Sequence, residues 1–137
     1  MDSVARNQAI HALVADYCHF VDELDCPSVA RLFAPEGVLH IANLSCRGRD
    51  AITTDFGAYL DRLPNRPLHL AHNTRIFDHD DRIGGVTRFF TFFPAAGLVP
   101  ARSGHWEDEF VFDDRAYFLS RRVVFDEWSP APVEGSR

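Results

Sequence analysis

Helical spacing of apolar residues in this chain stops at Pro64, and all but one of its β-branched or aromatic runs lie beyond that point. Val4, Ile10, Leu13, Val14, Tyr17, Val21 and Leu24 recur mostly at steps of three and four, which predicts a first amphipathic helix with Ser3 as its N-cap. Pro27 opens a second, short helix with Val29, Leu32 and Phe33 on one face, and Pro35-Glu36-Gly37 reads as a turn. Val38 to Ile41 is the single early strand. Ser45 to Gly48 break the pattern, and Ile52, Phe56, Tyr59, Leu60 and Leu63 then form a third helix that Pro64 ends. The runs Leu68 to Phe77, Val86 to Phe93, His105 to Phe112 and Tyr117 to Phe125 follow, separated by turn residues, and predict consecutive antiparallel strands. Helices segregated from strands in this way predict an α+β fold, a curved sheet covered on one face by helices.

The length, 137 residues, suits one domain over residues 1–128, with an irregular tail over 129–137 that is rich in Pro and small residues. With 14 Lys and Arg against 20 Asp and Glu, the formal charge is −6. A backbone-binding partner of nucleic acid needs clustered cations to displace counterions, so nucleic acid and anionic membrane are not expected partners. Cys18, Cys26 and Cys46 are odd in number and lack C-x-x-C spacing, so they predict buried small residues rather than disulfides or a thiolate metal site. A basic leader and a long apolar segment are both missing from the sequence, and the expectation is a soluble, cytoplasmic protein.

Most of the twelve Phe fall on the predicted strands, where they would either fill the concavity between sheet and helices or wall an open pocket for a flat apolar ligand. Asp22 sits near the end of the first helix, between Val21 and the exposed acids Glu23 and Asp25; taken alone it reads as a solvated helix-end acid. Strand alternation puts His69, Ala71, Asn73, Arg75 and Phe77 on one face and His72 on the other, so His69 and His72 are not expected to share a metal. The same alternation groups Trp106, Asp108, Phe110 and Phe112, with His105 opposite them or at an edge. If that aromatic face is the inner one, Asp108 is the polar group in the cavity. Asp78 to Asp81 with Gly84-Gly85 reads as a hairpin turn. Dinucleotide, P-loop, nucleophile-elbow and zinc-hydrolase signatures are all missing, which leaves acid and base chemistry.

The stretch Tyr17 to Leu24 followed by Asp25-Cys26-Pro27, then Leu32-Phe33-Ala34-Pro35-Glu36-Gly37, Gly48-Arg49-Asp50-Ala51-Ile52, His69 through Arg75, and Gly104-His105-Trp106-Glu107-Asp108 resembles the SnoaL-like group of the nuclear transport factor two superfamily. Within that group it is similar to scytalone dehydratase and hexachlorocyclohexane dehydrochlorinase. The resemblance implies a cone-shaped α+β barrel, a strongly curved mixed or antiparallel sheet wrapped around the N-terminal helices with a pocket lined by both. It also implies that Asp22 and His69 are an acid and base pair, with His69, Asn73 and Arg75 matching the dehydrochlorinase segment. Against the dehydratases there is one departure: the second polar catalytic residue expected on the next strand falls near Phe92, Phe93 or Pro94.

The resulting expectation is a lyase that needs neither metal nor organic cofactor. In it neutral His69 takes a proton from an apolar cyclic substrate while Asp22 orients the ring. Tyr17 or Asp108 would act as the donor, Phe77, Phe90, Phe92 and Trp106 would clamp the substrate, and Asn73 and His105 would contact it. Isomerisation or cyclisation of a polyketide or steroid-like compound is the neighbouring alternative. A noncatalytic ligand-binding or subunit role is the alternative of another class. The resemblance further implies a homodimer or homotrimer.

Overall fold

In the computed structural model, residues 2–129 are described; the expected irregular tail lies, apart from Ser129, outside the described residues. The long helix α1 runs Ser3–Asp22 and buries Ile10, Leu13, Val14, Tyr17, Cys18 and Val21. Its N-cap is Asp2 rather than Ser3, because the Asp2 carboxylate accepts the Ala5 amide at 2.9 Å. A second helix, α2, spans Cys26–Arg31 and is capped by Asp25, which accepts from the Ser28 amide and hydroxyl. The third helical segment is divided: α3 Arg49–Ala51, a π turn over Ile52–Phe56, and α4 Gly57–Asp61. Its buried residues, Ile52, Phe56 and Leu60, keep a spacing of four through the π turn and face the sheet.

The strands are β1 Phe33–Ile41, β2 Leu44–Arg47, β3 Leu68–His79, β4 Arg82–Phe92, β5 Pro100–Phe112 and β6 Tyr117–Trp128. They form one sheet in the order β2-β1-β6-β5-β4-β3. All neighbours are antiparallel except β1 and β6, which are parallel. The four later strands are consecutive and antiparallel as expected, and the one parallel pair makes the sheet mixed, because the meander β3 to β6 ends beside a strand laid down before it. Pro35 to Gly37 are not a free turn but a bulge within β1, between the pairings of Phe33 and Val38 with β6. Ser45 to Arg47, read as a break, belong to β2.

Irregular pairings recur in β3, β4, β5 and β6, and bulges of this kind bend and twist a sheet. The bent sheet closes over α1 and the α3–α4 segment, and the core of Tyr17, Val21, Phe33, Leu39, Phe56, Phe89, Trp106 and Leu119 sits between them. Burying side chains of this size contributes about 1.5–3 kcal/mol each, so the contact of α1 with the inner face anchors the whole arrangement.

The bulge in β3 decides which residues face the core. His72 pairs with Arg88 and Arg75 with Val86, so β3 carries one extra residue there, and Asn73 takes φ +56° to accommodate it. Asn is one of the few residues that tolerates that left-handed conformation. Past the bulge the faces exchange: Thr74 reaches the buried Thr87 at 2.9 Å and Ile76 packs on the core, whereas Phe77 turns outward. Two residues, Asp80 and Asp81, make the hairpin turn, and Gly84 and Gly85 lie inside β4. At Gly84 a Cβ would come within 2.5 Å of the edge of the Phe77 ring, so a side chain there would force that ring to shift.

Candidate active site

Asp22 is the last residue of α1, four positions after buried Cys18, so it lies on the edge of the stripe that α1 presents to β3. His69 is the second residue of β3. Both Asp22 carboxylate oxygens accept the His69 backbone N–H at 3.0 Å, and Oδ1 lies 2.6 Å from His69 Nδ1. The Arg66 side chain donates to the Asp22 carbonyl at 2.8 Å and ties the helix end to the approach of β3. An ionised carboxylate only accepts, so the hydrogen between Asp22 and the ring resides on Nδ1 when the ring is neutral. Nε2 then carries the lone pair, and it has no hydrogen-bond partner among the described residues.

The ring forms part of the wall of a cavity of about 260 Å³. Apolar side chains, among them Val21, Ile41, Leu60, Leu63, Phe89 and Trp106, make most of that wall, and its polar groups are Tyr17, Tyr59, His69, Thr91 and Arg102. Tyr17 is held edge-on against Trp106, with centroids 5.1 Å apart. Burial drives its pKa well above the usual tyrosine range, so its hydroxyl remains a protonated donor.

Of the residues expected in the site, His69, Tyr17 and Trp106 line the cavity, and Asp22 stands directly behind His69. The others are placed elsewhere. Asp108 is not a free group in the cavity: Arg122 donates to its two oxygens at 2.8 and 2.7 Å, and both side chains are wholly buried. A carboxylate that is already accepting a bidentate guanidinium cannot donate to a substrate oxygen. Burial works against the charge on Arg122, but Asp108 outweighs it and raises the Arg122 pKa. The guanidinium carbon lies 4.2 Å from the centroid of Tyr17 and 4.1 Å from that of Trp106, so the ion pair buttresses two walls of the cavity from behind.

Phe90 and Phe92 project from the opposite face of β4, where Phe90 stacks on His72, because strand alternation gives the cavity Phe89, Thr91 and Phe93 instead. Phe77 is outside by virtue of the β3 bulge, and Asn73 faces a shallower groove between α1 and β3. His105 is on the outer face as well, stacked on Phe125 and bonded through its two ring nitrogens to Glu107 and Glu127.

Three polar wall residues were not anticipated. Thr91 was hidden in a run of four Phe in which either face could have been the inner one. Arg102 lies in residues 100–104, assigned to a turn, whereas β5 begins at Pro100. Tyr59 read as helix core; its hydroxyl accepts from Arg102 Nη1 at 3.2 Å.

A bent sheet closed over a long helix, with an acid and an imidazole meeting at an apolar cavity, defines a cystatin-like, nuclear transport factor two-like α+β cone. Residues 2–123 match the SnoaL-like domain family, and the chain belongs to that family. Among curated proteins none matches the sequence. Similar solved structures include a Nostoc punctiforme protein of unknown function with a cystatin-like fold, 19% identical over 93% of this chain and 94% of that one, with a TM-score of 0.82. LinA is 18% identical over 96% of this chain and 92% of its own, with a TM-score of 0.81. A Novosphingobium aromaticivorans protein provisionally named scytalone dehydratase is 20% identical over 95% and 90% of the two chains, with a TM-score of 0.72. At these identities the likeness is one of fold.

Proposed function

We propose that the protein is a cofactor-independent lyase of the dehydratase type, in which His69 removes a proton from a carbon next to a carbonyl in an apolar cyclic compound. The observation that carries this reading is the 2.6 Å contact of His69 Nδ1 with Asp22 on the wall of a largely apolar cavity. The family and the fold shared with LinA and the provisional scytalone dehydratase support it.

In the first step the Cα–H bond breaks, the proton goes to His69 Nε2, and the electron pair moves through the C–C bond onto the carbonyl oxygen as an enolate. Asp22 holds the ring in orientation and faces the imidazolium as it forms. Tyr17 donates a hydrogen bond to the enolate oxygen. The enolate then re-forms its carbonyl, the β C–O bond breaks, and the departing hydroxide takes the proton from His69 to leave water and an enone. General base assistance is worth about 10²–10⁴ in rate, which suffices for a carbon acid already activated by a carbonyl and not for an unactivated C–H bond. Isomerisation or cyclisation would share the first step and return the proton elsewhere.

Bicyclic β-hydroxy ketones incubated in D₂O test the reading by NMR. Deuterium entry at Cα and release of the enone are expected with the wild type and lost in His69→Ala. Equal rates in the two proteins exclude His69 as the base.

The outer sheet face exposes Leu70, Phe77, Phe90 and Phe125, and self-association through it into a dimer or trimer is the assembly we propose. Light scattering that gave a monomer at micromolar concentration would rule it out.

A further inference from the structure

The strand register places three of the polar wall residues in one transverse row. His69 of β3 pairs with Thr91 of β4, and Thr91 pairs with Arg102 of β5. Adjacent strands lie about 4.8 Å apart, so the base at one end of the row and the guanidinium-bearing residue at the other are separated by roughly 10 Å of backbone. Among the described residues, Arg102 is the sole Lys or Arg lining the cavity.

The groups along this row have unspent hydrogen-bonding capacity. Thr91 Oγ1 is buried with no hydrogen-bond partner among the described residues, in a residue that is 2% exposed. A buried hydroxyl without a partner is short of a hydrogen bond, which a ligand oxygen would supply. Arg102 has five N–H groups. Nε and Nη2 donate to Asp126 at 3.0 and 2.5 Å, and Nη1 donates to Tyr59, which leaves two. Because the Tyr59 hydroxyl accepts from Arg102, its own hydrogen remains available to a ligand. Asp126, which carries the compensating negative charge, is the more exposed of the two, its side chain 45% exposed against 21% for Arg102.

We infer that the cavity takes a ring compound carrying a carboxylate, with Arg102 and Tyr59 as the carboxylate anchor, Thr91 as a donor midway, and the reacting carbon held at the His69 end. This deepens the function proposed above and rests on the cavity being the substrate site. A compound of this class is amphipathic in the same sense as the cavity, with an apolar body against Leu60, Leu63, Phe89 and Trp106 and one charged end. A neutral ketone alone would leave the guanidinium facing an apolar ring.

Calorimetric titration of the full chain with 2-naphthoate and with its neutral isostere 2-naphthamide tests the inference without needing turnover. Naphthoate is expected to bind at least about tenfold more tightly, which corresponds to about 1.4 kcal/mol. Arg102→Met should bring the two ligands to within about twofold of each other. Asp126→Asn, which strips the competing carboxylate from Arg102, should increase the preference for naphthoate, whereas a merely structural Arg102–Asp126 clamp predicts no gain. Thr91→Val should weaken naphthoate binding several-fold. Equal affinity for the two ligands in the wild type, binding of neither, or a preference that survives Arg102→Met overturns the inference. His69→Ala should leave the preference intact, so loss of His69-dependent deuterium exchange and loss of carboxylate selectivity are separate failures.

Discussion

The Asp22 carboxylate accepts the amide and the ring of a single residue, His69, with contacts at 3.0, 3.0 and 2.6 Å. One acid thereby fixes both the start of β3 and the orientation of the imidazole on it. Removing the charge and removing the acceptor should therefore have different effects. Asp22→Asn retains an oxygen for the His69 amide and is expected to keep the fold but lower turnover by about 10²-fold or more, a smaller loss than that from His69→Ala. Asp22→Ala should in addition lower the melting temperature. Steady-state kinetics beside thermal unfolding on the wild type and these three variants checks both statements.

The Asp108–Arg122 pair is wholly buried, and Arg122 Nη1 has no partner among the described residues. Breaking such a pair leaves an uncompensated charge in the core. Asp108→Leu or Arg122→Met alone is expected to cost about 3–5 kcal/mol, and the double replacement Asp108→Leu with Arg122→Met should restore much of it. Urea unfolding of the four proteins measures the coupling, and additive losses would contradict the account.

Gly84 lies beneath the Phe77 ring, so Gly84→Val should destabilise by about 1–3 kcal/mol through overpacking. Phe77→Ala in the same chain should relieve most of that penalty. A double-mutant cycle that showed no coupling would mean that the ring moves aside freely.

His105 has a raised pKa. Its partial burial works against protonation, and the hydrogen bonds of its ring to Glu107 and Glu127 more than offset it. A group with a raised folded pKa adds stability that is fully present below the ordinary histidine value, about 6.5, and is lost as pH rises through the folded value. The stability difference between wild type and His105→Gln should therefore be larger at pH 5.5 than at pH 9. Chemical denaturation at the two pH values reads the sign directly.

Burial pushes the thiols of Cys18 and Cys26 up to about 11. Only on the order of one in ten thousand is then thiolate at pH 7, so an aromatic disulfide reagent should react with them slowly in the native protein and fully in urea. Rapid native-state labelling of Cys18 would show that the groove between α1 and β3 opens.

The spacing of Ile10, Leu13, Val14, Tyr17 and Val21 dictated α1 and its buried stripe, and the aromatic runs after Pro64 dictated a sheet that this helix must cover, because apolar periodicity is a local property of the chain. Asp22 and His69 were legible as partners by family resemblance, and Trp106 by alternation. The remainder of the site was not local. A single extra residue at Asn73 exchanged the faces of β3 and turned Phe77 outward, five Phe or Thr in succession left the inner face of β4 undetermined, and Arg102 joined the cavity because β5 starts earlier than its turn-like composition implies. Bulge position, register and ion-pair partners depend on what lies across the sheet, so only the tertiary structure withdrew Asp108 from the cavity and set Thr91 and Arg102 in line with His69.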